Sequence, residues 1–229
     1  MMNVYELIKQ KRDGLELSKK EIGFLIDGFV NGQIPDYQMT ALLMAVYFKG
    51  MSARECVDLT MAMANSGDHV DLSVIQGFKV DKHSTGGVGD KTPLVLAPLV
   101  AASGGIVAKL TGRELGHTGG TIDKLESIPG FQVELAKNNF VGIVNDIHVG
   151  LIAQTASLAP ADRQIYALRN VTATGDSLPL IASSIMSKKL AAGSDGIVLD
   201  FQTGRGAFTT SYGDALTLAK TMVDSGEFA

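Results

Sequence analysis

Two glycine-rich segments, each following a short apolar run, constrain most strongly what this chain can fold into. The first spans residues 82–90 and reads KHSTGGVGD, and the second spans residues 111–126 and reads TGRELGHTGGTIDKLE. Glycine permits tight turns and lets a backbone approach a ligand closely. Backbone amides, hydroxyls and an ammonium gathered in such loops can surround the oxygens of an anion. The two segments therefore predict an oxyanion site, with phosphate as the expected ligand.

Short apolar runs alternate with helical patterns around these loops. Strands are predicted at residues 78–81, 106–110, 149–153 and 197–200, and helices between them at 93–103, 121–127 and 140–146. Such alternation favours a parallel sheet, in which ligands bind at the carboxyl ends of the strands. The fold class is therefore predicted to be α/β.

Other parts of the sequence have helical periodicity alone. Capping boxes at Ser18–Glu21 and Ser52–Glu55 begin two of the four helices predicted within residues 1–66, which we expect to form a bundle. Helical patterns return at 160–169, 177–192 and 212–225. No closing element follows the last strand–loop–helix unit, so we expect this chain to be the front part of a longer protein.

The composition argues against several classes of function. A net charge of −4 without a basic run argues against binding of nucleic acid or an anionic membrane. The first residues are charged, unlike a signal peptide, and no apolar run reaches membrane-spanning length. The single cysteine, Cys56, precludes an internal disulfide and fits a reducing compartment. We therefore expect a cytoplasmic protein with neither nucleic-acid nor membrane partners.

The first loop does not match the familiar nucleotide-binding motifs. A P-loop requires glycine where Asp90 and Thr85 stand, and the dinucleotide fingerprint requires glycine where Thr92 stands. Anion binding by the Lys82 ammonium, the Ser84 hydroxyl and the loop amides is the interpretation that remains. A tight turn with solvated polar residues is the alternative.

Four polar residues at helical spacing form a further candidate site. Tyr166 and Arg169 are one helical turn apart, and Ser184 and Lys188 form an i, i+4 pair. Together they offer donors and a hydroxyl to a flat ring with carbonyl oxygens, such as a pyrimidine. The alternative is an amphipathic helix whose charged residues simply face solvent. His83 is a candidate catalytic group because it lies within the first loop, and no residue spacing resembles a metal site.

The two loops and one further motif resemble those of the thymidine and pyrimidine-nucleoside phosphorylases. In that family, a Ser-Gly-Arg stretch leads into Gly-His-Thr-Gly-Gly-Thr-x-Asp-Lys-Leu-Glu, to which the second loop is close. Residues 82–90 and the SSIMSKK run at 183–189 also look like family motifs, and the similarity extends from about Tyr5 to Gly226. The chain is therefore identified as a member of this family, corresponding to its N-terminal half to two-thirds.

The resemblance implies two domains. A small all-helical domain for dimerisation and base binding would combine residues 1–66 and 160–193. A larger α/β domain with a mostly parallel sheet would combine residues 67–159 and 194–229 and bind phosphate, with its sheet incomplete in this chain. Relatives form homodimers through the helical domain, and domain closure would bring the reactants together.

The resemblance also implies an activity, the reversible phosphorolysis of pyrimidine nucleosides. Phosphate would cleave uridine, thymidine or deoxyuridine to the free base and a (deoxy)ribose 1-phosphate, with no redox cofactor and with a potassium ion near Gly89, as in some relatives. The expected catalytic residues are His83, Arg169 and Lys188, which would stabilise the charge that grows on the departing base. The expected phosphate ligands are Lys82, Ser84, Gly86, Gly87, Thr92, Thr111 and Thr121. The expected base ligands are His83, Leu115, Tyr166, Arg169, Ser184, Lys188 and Phe208.

Five positions depart from the family pattern. Pro93 removes a hydroxyl that helps to hold phosphate in relatives, unless the preceding threonine replaces it. Glu114 brings a negative charge to the second loop, and Lys91 adds a positive charge beside the expected potassium site. Asn170 replaces an aspartate, and Gly175 replaces a valine near the base. Together these departures predict a lowered activity.

Two alternative functions remain open. The first is a related phosphoribosyltransferase, because the anthranilate enzyme shares this architecture, and magnesium dependence would distinguish it. No acidic pair in the sequence suits a magnesium-pyrophosphate substrate, however. The second is a shortened dimerising or ligand-binding module without turnover, which phosphate-dependent thermal stabilisation without product would support.

Overall fold

The computed structural model describes residues 2–113, 119–207 and 209–228. The described residues form ten helices and four strands. In chain order, these are α1 (Val4–Arg12), α2 (Lys19–Val30), α3 (Asp36–Lys49), α4 (Ala53–Ala64), β1 (Lys79–Ser84), α5 (Pro93–Ala102), β2 (Ile106–Thr111), α6 (Thr121–Glu126), α7 (Lys137–Ile147), β3 (Val149–Ala153), α8 (Pro160–Val171), α9 (Leu178–Ala191), β4 (Gly196–Asp200) and α10 (Tyr212–Glu227).

The chain divides into two compact units. The helical unit contains Met1–His69, Ala156–Ala191 and Leu216–Ala229, and the α/β unit contains Val70–Thr155 and Ala192–Ala215. Each unit has an apolar core of its own. The predicted fold class, a helical domain together with an α/β domain, is confirmed.

Local sequence signals account for the start of two helices in the helical unit. The Ser18 hydroxyl accepts a hydrogen bond from the Glu21 amide, and the Glu21 carboxylate accepts one from the Ser18 amide. Ser52 and Glu55 repeat this capping box at the start of α4. The apolar faces of α1 to α4 then pack with α8 and α9 around one buried apolar core.

The four strands form a parallel sheet with the order β3-β2-β1-β4. The β1–β4 pairing continues to Ser84 and Asp200, and the β2–β3 pairing continues to Thr111 and Ala153. Parallel strands end at the same edge of a sheet, so the segments that follow β1, β2 and β4 begin at that edge. Among the described residues, β4 pairs with β1 alone and forms one margin of the sheet.

The last helix lies in a different unit from the one that the sequence predicted. We assigned all of residues 194–229 to the α/β domain, whereas α10 belongs to the helical unit from Leu216 onward. Leu218 and Met222 are buried, and a Cβ on Gly226 would lie 3.2 Å from Cε of Met186 on α9. Periodicity predicts a helix here, but it does not tell which core buries the apolar face.

Among the described residues, no helix combines the length and the apolar character that crossing a membrane requires.

Candidate active site

Oxygen atoms surround the ammonium of Lys82 near the carboxyl end of β1. Its Nζ lies 2.7 Å from Oδ2 of Asp200 on β4 and 3.8 Å from Oδ1 of Asp90. It also donates a hydrogen bond of 3.0 Å to Oγ1 of Thr92. An ammonium has three donors, and the Asp90 oxygen at 3.8 Å is beyond hydrogen-bond distance, so one N–H of Lys82 remains for a phosphate.

Asp90 is the central anion of the loop that follows β1, residues 85–92, which we call the β1 loop. Its Oδ1 accepts a hydrogen bond of 2.9 Å from Thr92, and its carbonyl accepts one of 2.6 Å from Nζ of Lys124. Burial acts to raise the pKa of Asp90, but hydrogen bonds from Ser84 and Thr92 and the charges of Lys82 and Lys124 outweigh it and lower the pKa. The carboxylate is therefore ionised at neutral pH.

Glycine is required by the backbone of the β1 loop. Gly86, Gly87 and Gly89 have φ angles of 83°, 142° and 83°, and a Cβ on Gly87 would lie 2.8 Å from the carbonyl oxygen of Gly206. The Val88 amide donates to that same carbonyl at 2.8 Å. Among the described residues, the amides of Gly87 and Gly89 have no hydrogen-bond acceptor, so they can donate to an anion.

The second glycine-rich segment begins at the end of β2. The Thr111 carbonyl accepts a hydrogen bond of 2.9 Å from the Gln154 amide. The guanidinium of Arg113 pairs with Glu126 and, at 3.0 Å, with Asp123, and its hydrogen bonds to these carboxylates raise the pKa of Arg113. Its charge is therefore balanced within the segment.

The structure places the predicted phosphate ligands on neighbouring elements of the α/β unit. Five of them belong to β1 and the β1 loop: Lys82, Ser84, Gly86, Gly87 and Thr92. Thr111 ends β2, the strand next to β1, and Thr121 begins α6, whose Lys124 reaches the carbonyl of Asp90 in the β1 loop.

A buried arginine organises a second cluster, in the helical unit. Arg169 on α8 is 3% exposed, and its guanidinium donates to the carbonyls of Gly175 at 2.7 Å, Leu180 at 3.0 Å and Thr174 at 3.4 Å. A guanidinium has five N–H donors, so two remain for a ligand. Burial lowers the pKa of Arg169, while the negative charge of Asp162 opposes that effect.

Lys188 on α9 completes this cluster. Its Nζ donates to Oδ2 of Asp162 at 2.7 Å and to Oγ of Ser184 at 3.1 Å. The ring centroid of Tyr166 lies 5.6 Å from Nζ of Lys188 and 5.8 Å from Cζ of Arg169, within cation–π range. We call these five residues the α8–α9 cluster, and it contains all four residues that we predicted to act together.

Sequence analysis missed two acidic residues that hold the predicted lysines. Asp162 pairs with Lys188 and precedes Tyr166 and Arg169 by four and seven positions, a spacing that places them on one helix face. Asp200 pairs with Lys82 and stands at the end of a predicted strand. These positions could have identified both aspartates as candidate site residues, but the sequence does not indicate which lysine each aspartate contacts.

The remaining predicted base ligands belong to the α/β unit or lie outside the described residues. His83 is half-buried on β1, where it pairs in register with Leu199, and so belongs to the α/β unit. Leu115 and Phe208 lie outside the described residues. No group of three or more His, Cys, Asp or Glu side chains in the described ranges is arranged to hold a metal ion.

The structure places four of the five departures from the family pattern. Pro93 is buried at the first position of α5, where a missing amide is tolerated. Asn170 and Gly175 are exposed, and a Cβ on Gly175 would meet no atom within 4 Å. Lys91 is exposed, with its Nζ 4.0 Å from the Cβ position of Gly89. Glu114 lies outside the described residues.

Two family models together match most of the chain. Residues 5–67 match the helical bundle domain of the glycosyl transferase family, and residues 76–228 match the a/b domain of that family.

Individual relatives are similar over nearly the whole chain. It is 60% identical over 225 residues to the pyrimidine-nucleoside phosphorylases of Geobacillus stearothermophilus and Bacillus subtilis strain 168. Each alignment covers 98% of this chain and 52% of the relative, so the chain spans about half the length of the curated relatives it matches. The crystal structure of anthranilate phosphoribosyltransferase from Thermus thermophilus is similar in fold, with a TM-score of 0.71 and 22% identity over 98% of this chain and 64% of that chain.

Proposed function

Since this chain belongs to the glycosyl transferase family that combines a helical bundle domain with an a/b domain, we propose that it takes part in the phosphorolysis of pyrimidine nucleosides. In this reaction a phosphate oxygen forms a bond to C1′ of the sugar and the C1′–N1 bond to the base breaks. The bonding electrons leave with the base, which takes up a proton, and the products are free base and (deoxy)ribose 1-phosphate. The observation that carries the proposal is the α8–α9 cluster.

The cluster suits a ring that carries carbonyl oxygens and becomes negative as it departs. Two N–H groups of Arg169, the ammonium of Lys188 and the hydroxyl of Ser184 are the donors. Preorganised cations in a water-poor site stabilise developing negative charge without having to reorient. Three backbone carbonyls already fix the guanidinium of Arg169, so its orientation does not depend on the ligand.

The β1 loop suits the phosphate. The amides of Gly87 and Gly89 and the Lys82 ammonium would surround its oxygens. The hydroxyls of Ser84 and Thr92, which donate to Asp90, would join them by turning from that carboxylate to the phosphate, and Thr92 would then replace the hydroxyl lost at the next residue. Thr111 and Thr121 remain proposed ligands, and His83 remains the proposed acid that protonates the departing base.

Incubation of the purified chain with uridine or thymidine, with and without phosphate, tests this function. We expect free base, followed by chromatography, only when phosphate is present, and a reduced rate in Lys188→Met. Lys220→Met, on the exposed surface of α10, is the matched control and should keep the wild-type rate. Phosphate-independent release would contradict the proposal, whereas thermal stabilisation by phosphate without product would support a ligand-binding module.

We also propose that the protein forms a homodimer through the helical unit. Tyr37 and Phe48 on α3 are 74% and 75% exposed and eleven positions apart, which puts them on one helix face. Sedimentation analysis should show a dimer, and Phe48→Glu should shift it toward monomer. Val171→Glu, at the exposed end of α8, should not. A wild-type monomer at micromolar concentration would contradict the proposal.

Potassium near Gly89 and a cytoplasmic location also stay proposals. A potassium site near Gly89 predicts faster rates in potassium than in sodium buffer. Equal rates would show that the Lys91 ammonium, which lies beside Gly89, repels the ion. The buried Cys56, whose pKa burial raises to about 12, is compatible with a reducing compartment, and cell fractionation would test this location.

A further inference from the structure

Asp162 has a buried carboxylate of which one oxygen forms an ion pair and the other has no hydrogen-bond partner among the described residues. The residue is 3% exposed, and its Oδ2 lies 2.7 Å from Nζ of Lys188. Its Oδ1 is buried without a hydrogen-bond partner among the described residues. An unsatisfied buried oxygen lowers stability, and a buried ion pair is in general no more stabilising than well-packed apolar residues. Stability of the fold therefore does not explain why an acid stands here.

The surroundings of Asp162 leave Lys188 as its ion-pair partner. A cavity next to the carboxylate is otherwise lined by aliphatic side chains of the helical core, together with Arg169 and Ser184. The guanidinium of Arg169 is fixed by carbonyls at 2.7 Å to 3.4 Å. Removal of the Asp162 charge should therefore release Lys188 while the backbone bonds of Arg169 persist.

The other charged groups on helices packed against α9 are engaged elsewhere or exposed. On α4, Glu55 pairs with Lys11, and Arg54 pairs with Glu16 and Asp58. On α10, the acidic residues near the contact with α9 are exposed. In the described part of the chain, Asp162 is thus the carboxylate that forms an ion pair with Lys188.

We propose that Asp162 is a positioning residue of the base site, whose carboxylate holds the Lys188 ammonium beside the Ser184 hydroxyl so that Lys188 can donate to a carbonyl oxygen of the pyrimidine. Asp162 acts through Lys188 and does not itself contact the base. The identity of the ligand rests on the proposed function, whereas the hold on Lys188 does not.

The hold on Lys188 is tested without any ligand. In Asp162→Asn, a small acylating reagent at fixed pH should label Lys188 at least about fivefold faster relative to the exposed Lys220, because loss of the 2.7 Å ion pair frees the Lys188 amine to reach the reagent. Mass spectrometry of the peptides gives both rates. Asp162→Glu retains the charge and should label within about twofold of wild type. Unchanged labelling in a folded Asp162→Asn protein, or fast labelling in Asp162→Glu, would overturn the proposal.

A double-mutant cycle on uracil binding tests whether Asp162 acts through Lys188. By calorimetry, Asp162→Asn should weaken the affinity for uracil at least about tenfold and leave the affinity for phosphate unchanged, and Asp162→Glu should restore part of the lost uracil affinity. In the Lys188→Met background, Asp162→Asn should not lower the uracil affinity any further. Additive losses would overturn the proposal.

A control variant that destabilises the helical unit elsewhere distinguishes a positioning role of Asp162 from a general loss of stability. Glu55→Gln breaks another buried pair of the helical unit, that with Lys11 at 2.8 Å, and should lower thermal stability while leaving uracil affinity unchanged. If wild type binds no uracil, the proposed function fails, while the labelling result still decides whether Asp162 holds Lys188.

Discussion

At the residue scale, Arg169 contributes to the stability of the fold as well as to the proposed base site. Its three hydrogen bonds to the carbonyls of Gly175, Leu180 and Thr174 require a planar fork that lysine does not have. Arg169→Lys should lower the unfolding free energy by roughly 1–3 kcal/mol, because buried carbonyls lose their donors. Urea denaturation measures the loss. The control Arg163→Lys, at an exposed position of α8, should change the unfolding free energy by less than about 0.5 kcal/mol.

Asp200 would compete with a phosphate bound at the proposed site for Lys82, so removal of its charge should strengthen phosphate binding rather than weaken it. It lies 2.7 Å from Nζ of Lys82 and brings a negative charge to the proposed anion site. Asp200→Asn should therefore tighten phosphate binding by about three- to tenfold in calorimetry. Asp195→Asn, which breaks a pair with Lys79 at the start of β1, is the matched control and should leave phosphate affinity unchanged. Weaker phosphate binding in Asp200→Asn would show that Asp200 serves to orient Lys82.

At the element scale, the β1 loop depends on the backbone of Gly87. An alanine there would meet the Gly206 carbonyl at 2.8 Å in a φ region that side chains rarely adopt. Gly87→Ala should lower the unfolding free energy by about 1–3 kcal/mol and abolish thermal stabilisation by phosphate. Gly142→Ala within α7, where a Cβ has open space, should instead add about 0.5–1 kcal/mol. Preserved phosphate stabilisation in Gly87→Ala would rule out this loop as the anion site.

The elements themselves follow closely from local sequence. Alternation of short apolar runs with helical patterns predicted β1 to β4 and the helices between them, because period and length distinguish strands from helices. The capping boxes at Ser18 and Ser52 located two helix starts. The unit to which α10 belongs was not predictable, because its apolar face carries no information about which core will cover it.

At the scale of the whole molecule, ionised carboxylates set the acid limit of stability. Hydrogen bonds and neighbouring cations lower the pKa of Glu21, Asp71, Asp90 and Asp195 from their ordinary values. A carboxyl group whose folded pKa is lowered stabilises the fold above its unfolded pKa, and this stabilisation is lost as the pH falls through the folded value. We therefore expect a plateau above about pH 5 and a decline below about pH 4.

Urea denaturation between pH 3 and pH 7 checks this decline. Asp195→Asn should flatten the acid part of the curve, because it removes one of the titrating groups. An unfolding free energy that stays constant down to pH 3 would contradict the expectation.

The sequence by itself determined the family, the elements and the residue types of both candidate sites. Glycine spacing, capping signals and helical periodicity are local properties, and they are readable in one dimension because each depends on neighbours within a few positions. The pairing of Lys82 with Asp200 and of Lys188 with Asp162 was decided only by the tertiary structure. These partners are 118 and 26 positions apart, and a charge–charge contact at that separation depends on how strands align and helices pack.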